Sequence, residues 1–315
     1  MISVIIGGLL IGFILTPLAL GVFISYRMLR FPDLTVDGAF ACGAVVSARM
    51  VLYGWDPLSA TLLGMCGGAV AGLLTGLLAT RFGIRRLLAG ILVMTALYSV
   101  NLYILGKPSH AFNEEITLYN WAREVAVWFF GPEPSVILLG SRIFTVKLVS
   151  LVFAGCTSVL IVAGLYWLFK TQYGLAMRAA GDNPEAAAAM GVNVERMVII
   201  ALALANALAA LSGSIFAQEL GSAGFDLGLG MIVTGLACVI VGGALFRRSR
   251  FSMQLVATVI GTLLYRLIIS LLLLAGVVST DLRLFTAVFV LLALLVPSAL
   301  DRWLRQGQVP VKGVQ

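Results

Sequence analysis

The chain has 315 residues, of which 61% are hydrophobic and 11% are charged, and its mean hydropathy is +1.06. Soluble domains carry about 45–50% apolar and about 25% charged residues, so this composition excludes an ordinary soluble fold. The net charge of +7 does not indicate nucleic-acid binding, because the basic residues stand in short loops between apolar runs. We expect an all-α polytopic integral membrane protein, multi-pass in the lipid bilayer of the cell inner (plasma) membrane.

Apolar stretches of about 20 residues, the length that crosses a bilayer, recur along the chain. They predict about nine transmembrane helices, with eight to ten as the range, in a single transmembrane domain over residues 1–315. The first stretch has no positively charged segment before it, which favours a retained span over a cleaved signal peptide. The stretches lie at roughly 2–25, 34–52, 57–80, 86–106, 146–169, 197–219, 228–246, 253–276 and 283–300.

The basic residues predict the orientation. With the N-terminus outside and the C-terminus in the cytoplasm, 14 of the 21 basic residues are cytoplasmic and 6 are outside, with Arg266 within a span. This bias is the one expected of membrane proteins. The cytoplasmic set is Arg27, Arg30, Arg81, Arg85, Arg86, Lys170, Arg178, Arg196, Arg247, Arg248, Arg250, Arg302, Arg305 and Lys312. The outer set is Arg49, Lys107, Arg123, Arg142, Lys147 and Arg283.

In this topology residues 107–145 form a long extracytoplasmic loop that is rich in aromatic residues. Such a density of aromatic side chains suits a helix lying on the outer leaflet, with a packed loop as the alternative. The aromatic residues concerned are Tyr119, Trp121, Trp128, Phe129 and Phe130.

Two segments interrupt the apolar pattern in a similar way. Residues 31–38 read FPDLTVDG and residues 224–230 read GFDLGLG, and each leads into a short glycine-rich span. The predicted topology puts the first break on the cytoplasmic side and the second outside. This arrangement favours an inverted repeat, which in transporters places broken helices around a central pathway.

Small residues repeat every four positions on the third span, at Gly64, Gly68, Gly72 and Gly76. Alanine and glycine do the same on the sixth span, from Ala201 to Ala217. Such stripes let helix backbones approach closely in lipid, so we expect them to form a helix–helix contact.

The loop at residues 170–196, cytoplasmic in this topology, contains a short helix with clear start and stop signals. Asn183 or Asp182 can cap its start, Pro184 suits the first helical position and Glu185 complements the positive helix end. Four alanines continue the helix and Gly191 ends it. A plain connecting loop is the alternative, but a capped helix with a smooth alanine face favours docking to another protein.

This loop closely resembles the coupling loop of ABC importer permeases of the branched-chain amino acid and ribose type. The positions that match are Tyr173, Gly174, Ala176, Arg178, Ala179, Gly181, Asn183, Ala186, Ala187, Gly191 and Val192. Near the N-terminus, residues 19–25, Arg27, Leu29 and residues 31–38 are similar to the tryptophan/tyrosine-type permease group. The resemblance implies a homodimer, two copies of a cytoplasmic ATPase and a separate extracytoplasmic substrate-binding protein, importing a small polar solute such as an amino acid.

No GxxxxGK[ST] phosphate loop is present in the sequence, so we expect no cofactor on this chain and ATP hydrolysis on the partner subunit. The expected coupling residues are Arg178, Gly181, Asp182, Asn183, Pro184, Glu185, Ala187, Ala188 and Gly191. An Asp at Ala187 or Ala188 is expected to uncouple ATP hydrolysis from transport.

The chain offers little for catalysis or metal binding. The four cysteines, at 42, 66, 156 and 238, lie far apart in apolar runs and are expected to be small buried side chains. The single histidine, His110, lies in a polar loop.

An ion-gradient-driven secondary transporter is the main alternative to an ATP-driven importer, but few acidic residues lie within spans. A channel would not explain the coupling loop.

Polar side chains within apolar spans are candidates for the translocation pathway, because the bilayer makes them costly. The candidates are Asp33, Thr35, Asp37, Asn101, Asn206, Asp226 and Arg266. Asp37 has a second interpretation as the cap of the second span, and Asp226 is a candidate partner for Arg266. The two asparagines have a structural interpretation as hydrogen-bonding groups between helices. The sequence does not identify the solute.

Overall fold

The computed structural model describes residues 2–112, 117–131, 135–138, 141–246, 251–277, 284–288 and 291. The described chain is almost entirely helical. Its helices are α1 (Ile2–Val22), α2 (Thr35–Leu52), α3 (Pro57–Thr80), α4 (Arg86–Leu105), α5 (Leu118–Phe130), α6 (Thr145–Leu168), α7 (Gln172–Asp182), α8 (Pro184–Ala189), α9 (Val194–Leu220), α10 (Met231–Leu245) and α11 (Phe251–Leu274). A π-helical turn, Phe23–Met28, extends α1.

Four short strands form two antiparallel pairs, which the sequence did not predict. The strands are β1 (Ser109–Ala111), β2 (Ser135–Leu138), β3 (Ser141–Phe144) and β4 (Ser222–Gly224). β1 pairs with β4 and β2 pairs with β3. The β1–β4 pair joins the loop after α4 to the loop after α9.

Within the described residues, 7 helices are long and apolar enough to cross a membrane. They correspond to the first six predicted spans and the eighth, and the 15-residue α10 corresponds to the seventh. The prediction of an all-α polytopic membrane protein is confirmed. Most of the predicted ninth span lies outside the described residues, as do Arg247, Arg248, Arg250, Arg283, Arg302, Arg305 and Lys312. The count of nine therefore stays a prediction.

The helix ends divide into two faces. The coupling face, as we name it, holds residues 27–30, 81–86 and 169–193, and the opposite face holds residues 53–56, 106–112 and 221–224. An ion pair of 3.8 Å joins Arg30 to Asp182 on the first face, and the β1–β4 pair lies on the second. Loops predicted to lie on opposite sides of the membrane thus lie on opposite faces, and which face is cytoplasmic stays a prediction.

Helix α9 is the centre of the fold. It packs against α1, α2 and α3, and Ala201, Ala205 and Ala209 on it are fully buried. The glycine stripe of α3 lies against it, since a Cβ added at Gly68 would stand 2.4 Å from the Asn206 carbonyl oxygen. Only small residues allow this approach, and in lipid such close packing is a main source of helix association.

The cysteines follow the prediction only in part. Cys42 and Cys238 are buried, but Cys66 and Cys156 are exposed on the outer surface of the helix bundle. The difference has a simple cause, because a helix in lipid is apolar on its outer face as well as its inner one, and hydropathy does not separate the two.

The glycine contacts make a stability prediction. In Gly72→Ala the new Cβ would stand 2.2 Å from the Leu202 carbonyl oxygen, so α3 and α9 must move apart, at a cost of about 1–3 kcal/mol for such overpacking. Gly155 on α6 has open space around it, so Gly155→Ala is a matched control. We expect the first variant to melt at a lower temperature in detergent and the second to melt unchanged or higher. Equal melting temperatures would contradict the packing.

Candidate functional site

The coupling segment folds as two helices rather than one. Thr171 caps α7 by accepting a hydrogen bond of 3.3 Å from the Gly174 amide. Asn183 caps α8 by accepting one of 3.0 Å from the Ala186 amide, so of the two candidate caps it is the one that acts. Pro184 begins α8, and Gly191 follows its end with a φ of 82°, a conformation that favours glycine.

The alanines of α8 do not share one environment. Ala187 is fully buried within this chain, whereas Ala188 is exposed on the far side of the helix. Pro184, Glu185 and Ala186 are also exposed. The surface that α8 offers to another protein therefore excludes Ala187.

Three contacts tie the coupling segment to the spans. Gly181 lies so close to the end of the π-helical turn that a Cβ there would stand 2.0 Å from the Met28 carbonyl oxygen. Asp182 forms the ion pair with Arg30. The Arg178 guanidinium lies 4.2 Å from the Phe251 ring centroid at the start of α11. A displacement of this segment would therefore reach the first break and α11 directly.

The first break carries a buried polar network. The Asp33 carboxylate accepts a hydrogen bond of 2.9 Å from the Thr35 amide and one of 2.7 Å from the Asn206 side-chain amide. The Thr35 and Thr75 hydroxyls are 2.6 Å apart. All four side chains are buried. Asp33 therefore holds the start of α2 and binds it to α9.

This network lies deep in the molecule. Asn206 follows the start of α9 by twelve residues, or about 18 Å at 1.5 Å per residue, against about 15 Å for half of a bilayer core. The start of α2 also contacts Thr75 and Gly90, which are only five and four residues from the coupling-face ends of α3 and α4, about 6–8 Å. The first break thus enters the helix bundle, and α2 begins inside it on the side of the coupling face.

The second break meets the first through Asp37. The Asp37 carboxylate accepts hydrogen bonds of 3.0 Å from the Gly230 amide and 2.6 Å from the Ile232 amide. These are orphan amides at the start of α10. The interpretation of Asp37 as the cap of its own helix is wrong, because Asp37 caps α10 and Asp33 holds the start of α2. The start of α2, a helix of 18 residues, thus meets the start of α10, a helix of 15 residues, and the inverted repeat stays an interpretation.

A cavity of about 180 Å³ lies beside this junction, between α2, α4 and the second break. Asn101 donates a hydrogen bond of 3.3 Å to the Gly38 carbonyl oxygen, while its own Oδ1 is buried and has no partner among the residues that the structure describes. Tyr98 and Phe225 meet edge to face, with ring centroids 4.7 Å apart. The cavity thus combines an aromatic wall, the Asp37 carboxylate and an available acceptor.

The remaining candidates lie elsewhere. Arg266, on α11, packs near Gly12 of α1, and its Nε is buried without a hydrogen-bond partner in the described part of the chain. Asp226 is exposed. Across the described ranges the one ion pair within 4.0 Å joins Arg30 to Asp182, so the pairing of Arg266 with Asp226 is wrong. The structure brings Asp33, Thr35 and Asn206 into one cluster and Asp37 and Asn101 into the next.

Several residues of the site were not predicted. Thr75 and Tyr98 gave no signal, because a threonine or an aromatic residue in an apolar helix is ordinary. Phe225 and Gly228 lie in the segment predicted to be the second break, but were not predicted as site residues. A Cβ at Gly228 would stand 1.9 Å from the Asp37 carbonyl oxygen. The GFDLGLG segment marked the break, but not what it packs against.

A bundle of apolar helices in which the starts of α2 and α10 meet, with an exposed capped helix on one face, fits the class of membrane transport permeases. The comparison with known families agrees. The family described as branched-chain amino acid transport system, permease component, matches residues 4–296, and the chain belongs to this family. It is a multi-pass membrane permease and not itself an enzyme.

Named relatives carry both amino-acid and sugar descriptions. The chain is 35% identical over 278 residues to the tyrosine transport system permease protein of Clostridioides difficile, covering 88% of this chain and 86% of the relative. It is 29% identical over 269 residues to the ribose import permease protein of Escherichia coli K12, covering 84% and 76%. An uncharacterized protein of Rickettsia prowazekii is 30% identical over 285 residues, covering 89% and 93%. No solved structure matches this chain. The resemblance to ABC importer permeases of the branched-chain amino acid and ribose type is confirmed.

Proposed function

We propose that this chain is the membrane-spanning subunit of an ABC importer for a small polar solute, an amino acid or a related compound. Two copies form the pathway as a homodimer, a cytoplasmic ATPase dimer drives it, and an extracytoplasmic binding protein delivers the solute. The whole chain acts as one permease domain in the inner membrane, with the N-terminus outside and the coupling face in the cytoplasm. The observation that carries the proposal is α8, a capped helix exposed on one face and joined to α7, which contacts Met28 and Arg30 just before the first break.

The contacts of α7 and α8 support a route for the motion. A push on α8 acts on the π-helical turn through Gly181 and on the first break through the ion pair of Asp182 with Arg30. Asp37, seven residues after Arg30, is hydrogen-bonded to the start of α10. A movement of the coupling segment therefore shifts α2 and α10 together, which is the kind of bistable repacking that alternating access requires.

We place the solute pathway beside the cavity of about 180 Å³. A cavity of about 150 Å³ accommodates a molecule the size of benzene, so the space suits a small solute. Asn101 Oδ1 is the acceptor without a partner, and it suits the ammonium group of an amino acid. The description of one relative, for tyrosine, and that of the family, for branched-chain amino acids, agree with this class of solute, whereas another relative is described for ribose.

The energy source for uptake distinguishes the proposed ATP-driven importer from an ion-gradient-driven secondary transporter. The complex of this chain with its ATPase is placed in liposomes with the binding protein, and uptake of the binding protein's own ligand is measured. We expect uptake to stop when ATP is withheld and to continue when an ionophore collapses the ion gradients. Uptake that survives without ATP and stops with the ionophore would establish a secondary transporter instead.

A further inference from the structure

A large apolar cavity lies away from the two breaks, between α1, α3, α6 and α9. Its volume is about 490 Å³, within the range of small-molecule sites. Leu, Ile, Phe and Met side chains form most of its walls. Trp121 and Ala122 of α5 line one end, so this end lies at the opposite face. The coupling segment and the junction of α2 with α10 do not contribute to it.

The cavity has the length of one bilayer leaflet. On α6 the lining residues run from Ser150 to Ile161, a distance of about 16 Å at 1.5 Å per residue. Half of a bilayer core of about 30 Å is about 15 Å. On α9 the lining runs from Glu219 back to Leu211, so both helices place the cavity in the half next to the opposite face.

The cavity opens sideways to the surface of the helix bundle. Leu62 of α3 and Phe153 of α6 both line it and are 48% and 53% exposed. Leu160, deeper on α6, also lines it and is 72% exposed. An occupant can therefore enter from the hydrocarbon phase between α3 and α6, without passing the junction of α2 with α10.

The end at the opposite face is polar. The Ser150 hydroxyl is buried, with the residue 6% exposed, and has no hydrogen-bond partner in the part of the chain that is described. Glu219 lines the same end and is half-buried. Lys147, one turn before Ser150, acts on Glu219 electrostatically but is not within the 4.0 Å of an ion pair. A buried hydroxyl without a partner is costly, which indicates that a polar group of a ligand completes this end.

An apolar slot of leaflet length with acidic, basic and hydroxyl groups at the interface matches one kind of molecule. We propose that it binds a phospholipid with an ammonium-bearing head group, phosphatidylethanolamine, with one acyl chain in the cavity. Glu219 receives the ammonium, and Lys147 and Ser150 receive the phosphate. Because α5 lies over the polar end, the lipid holds α5 against α6 and α9. This site is separate from the transport function proposed above.

Photolabelling tests the site in the unmodified chain. The protein is reconstituted in liposomes containing phosphatidylethanolamine with a photoreactive group in its acyl chain, and the labelled peptides are identified by mass spectrometry. We expect labels concentrated on the lining segments of α3, α6 and α9. In Ala154→Trp the indole projects into the cavity and obstructs it, and we expect most of this labelling to be lost. Ala163→Trp, exposed on α6 outside the cavity, is the matched control and retains it.

The head-group assignment has its own readout. With labelled phosphatidylglycerol, which has no ammonium group, labelling of the lining segments is expected to fall, and Glu219→Gln is expected to remove the difference between the two lipids. Labels spread evenly over all membrane-exposed helices and unaffected by Ala154→Trp would show surrounding lipid only and overturn the proposal. Cross-links between two copies at Leu62 and Phe153 would show that a second chain covers the opening, which would overturn it as well.

Discussion

Ala188→Asp is expected to abolish ATP-driven uptake while leaving the permease folded. Ala188 is exposed on α8, so in the isolated chain its replacement changes stability by no more than about 0.5 kcal/mol. In the assembled importer the new carboxylate would be buried against the ATPase without a partner, at a cost of several kcal/mol. Since each 1.4 kcal/mol corresponds to a tenfold change, the ATPase should no longer bind productively. Uptake and ATP hydrolysis are measured on the same liposomes.

Two other positions of the coupling segment provide the controls. Ala187 is fully buried inside the chain, so Ala187→Asp is expected to lower the melting temperature of the isolated permease, which Ala188→Asp does not. Gln172→Asp introduces the same charge at an exposed first-turn position of α7, where a carboxylate is favourable, and should leave uptake intact. Normal coupling of ATP hydrolysis to uptake in Ala188→Asp would argue against docking at α8.

Asp37→Ala is expected to cause the largest loss of stability together with a loss of uptake. The substitution removes the acceptor of two amides at the start of α10. The two hydrogen bonds are partly buried, and each amide left without an acceptor costs up to about 1–3 kcal/mol. The start of α10 should then leave its place beside α2, so the two helices lose their common anchor. Melting temperature in detergent and solute uptake in liposomes measure the two effects.

Two further variants distinguish the role of Asp37 at the start of α10 from a general effect of removing an aspartate. Asp37→Asn keeps one acceptor oxygen and should retain part of both properties. Asp56 caps α3 at the opposite face by accepting a hydrogen bond of 3.0 Å from the Ser59 amide, and hydrogen bonds from Ser59 lower the pKa of its carboxyl. Asp56→Ala should have a much smaller effect, because water reaches the freed amides there. If both alanine variants behaved alike, Asp37 would have no special role.

The transmembrane segments could be predicted because they follow from local composition. A run of apolar residues crosses a bilayer wherever it stands, so the first six spans and the eighth were placed to within a few residues.

The start of α8 could also be predicted, because its signal is local in sequence. A cap hydrogen bond joins residues three apart, as Asn183 and the Ala186 amide do. The separate helix α7 was missed, since its tyrosine and glycine weaken the helical signal.

The contacts that define the site could not be predicted, because they join residues far apart in the chain. Asp33 meets Asn206 across 173 positions and Asp37 meets Gly230 across 193. Which carboxylate caps which helix depends on how α2, α9 and α10 pack, and an aspartate before a helix looks the same in either case. The pairing of Arg266 with Asp226 failed for this reason, because two opposite charges in apolar surroundings do not need to be neighbours.

Composition and local pattern therefore settle that the chain crosses the membrane many times and where its docking helix begins. They also mark residues 31–38 and 224–230 as interruptions. The tertiary structure decides that the two interruptions meet through Asp37, that Ala187 is buried while Ala188 is exposed, and that a leaflet-length cavity lies between α3 and α6. Hydropathy depends only on residues that are neighbours in the sequence. Packing depends on which of several equally apolar helices fit together, and that is decided by the shapes of their side chains.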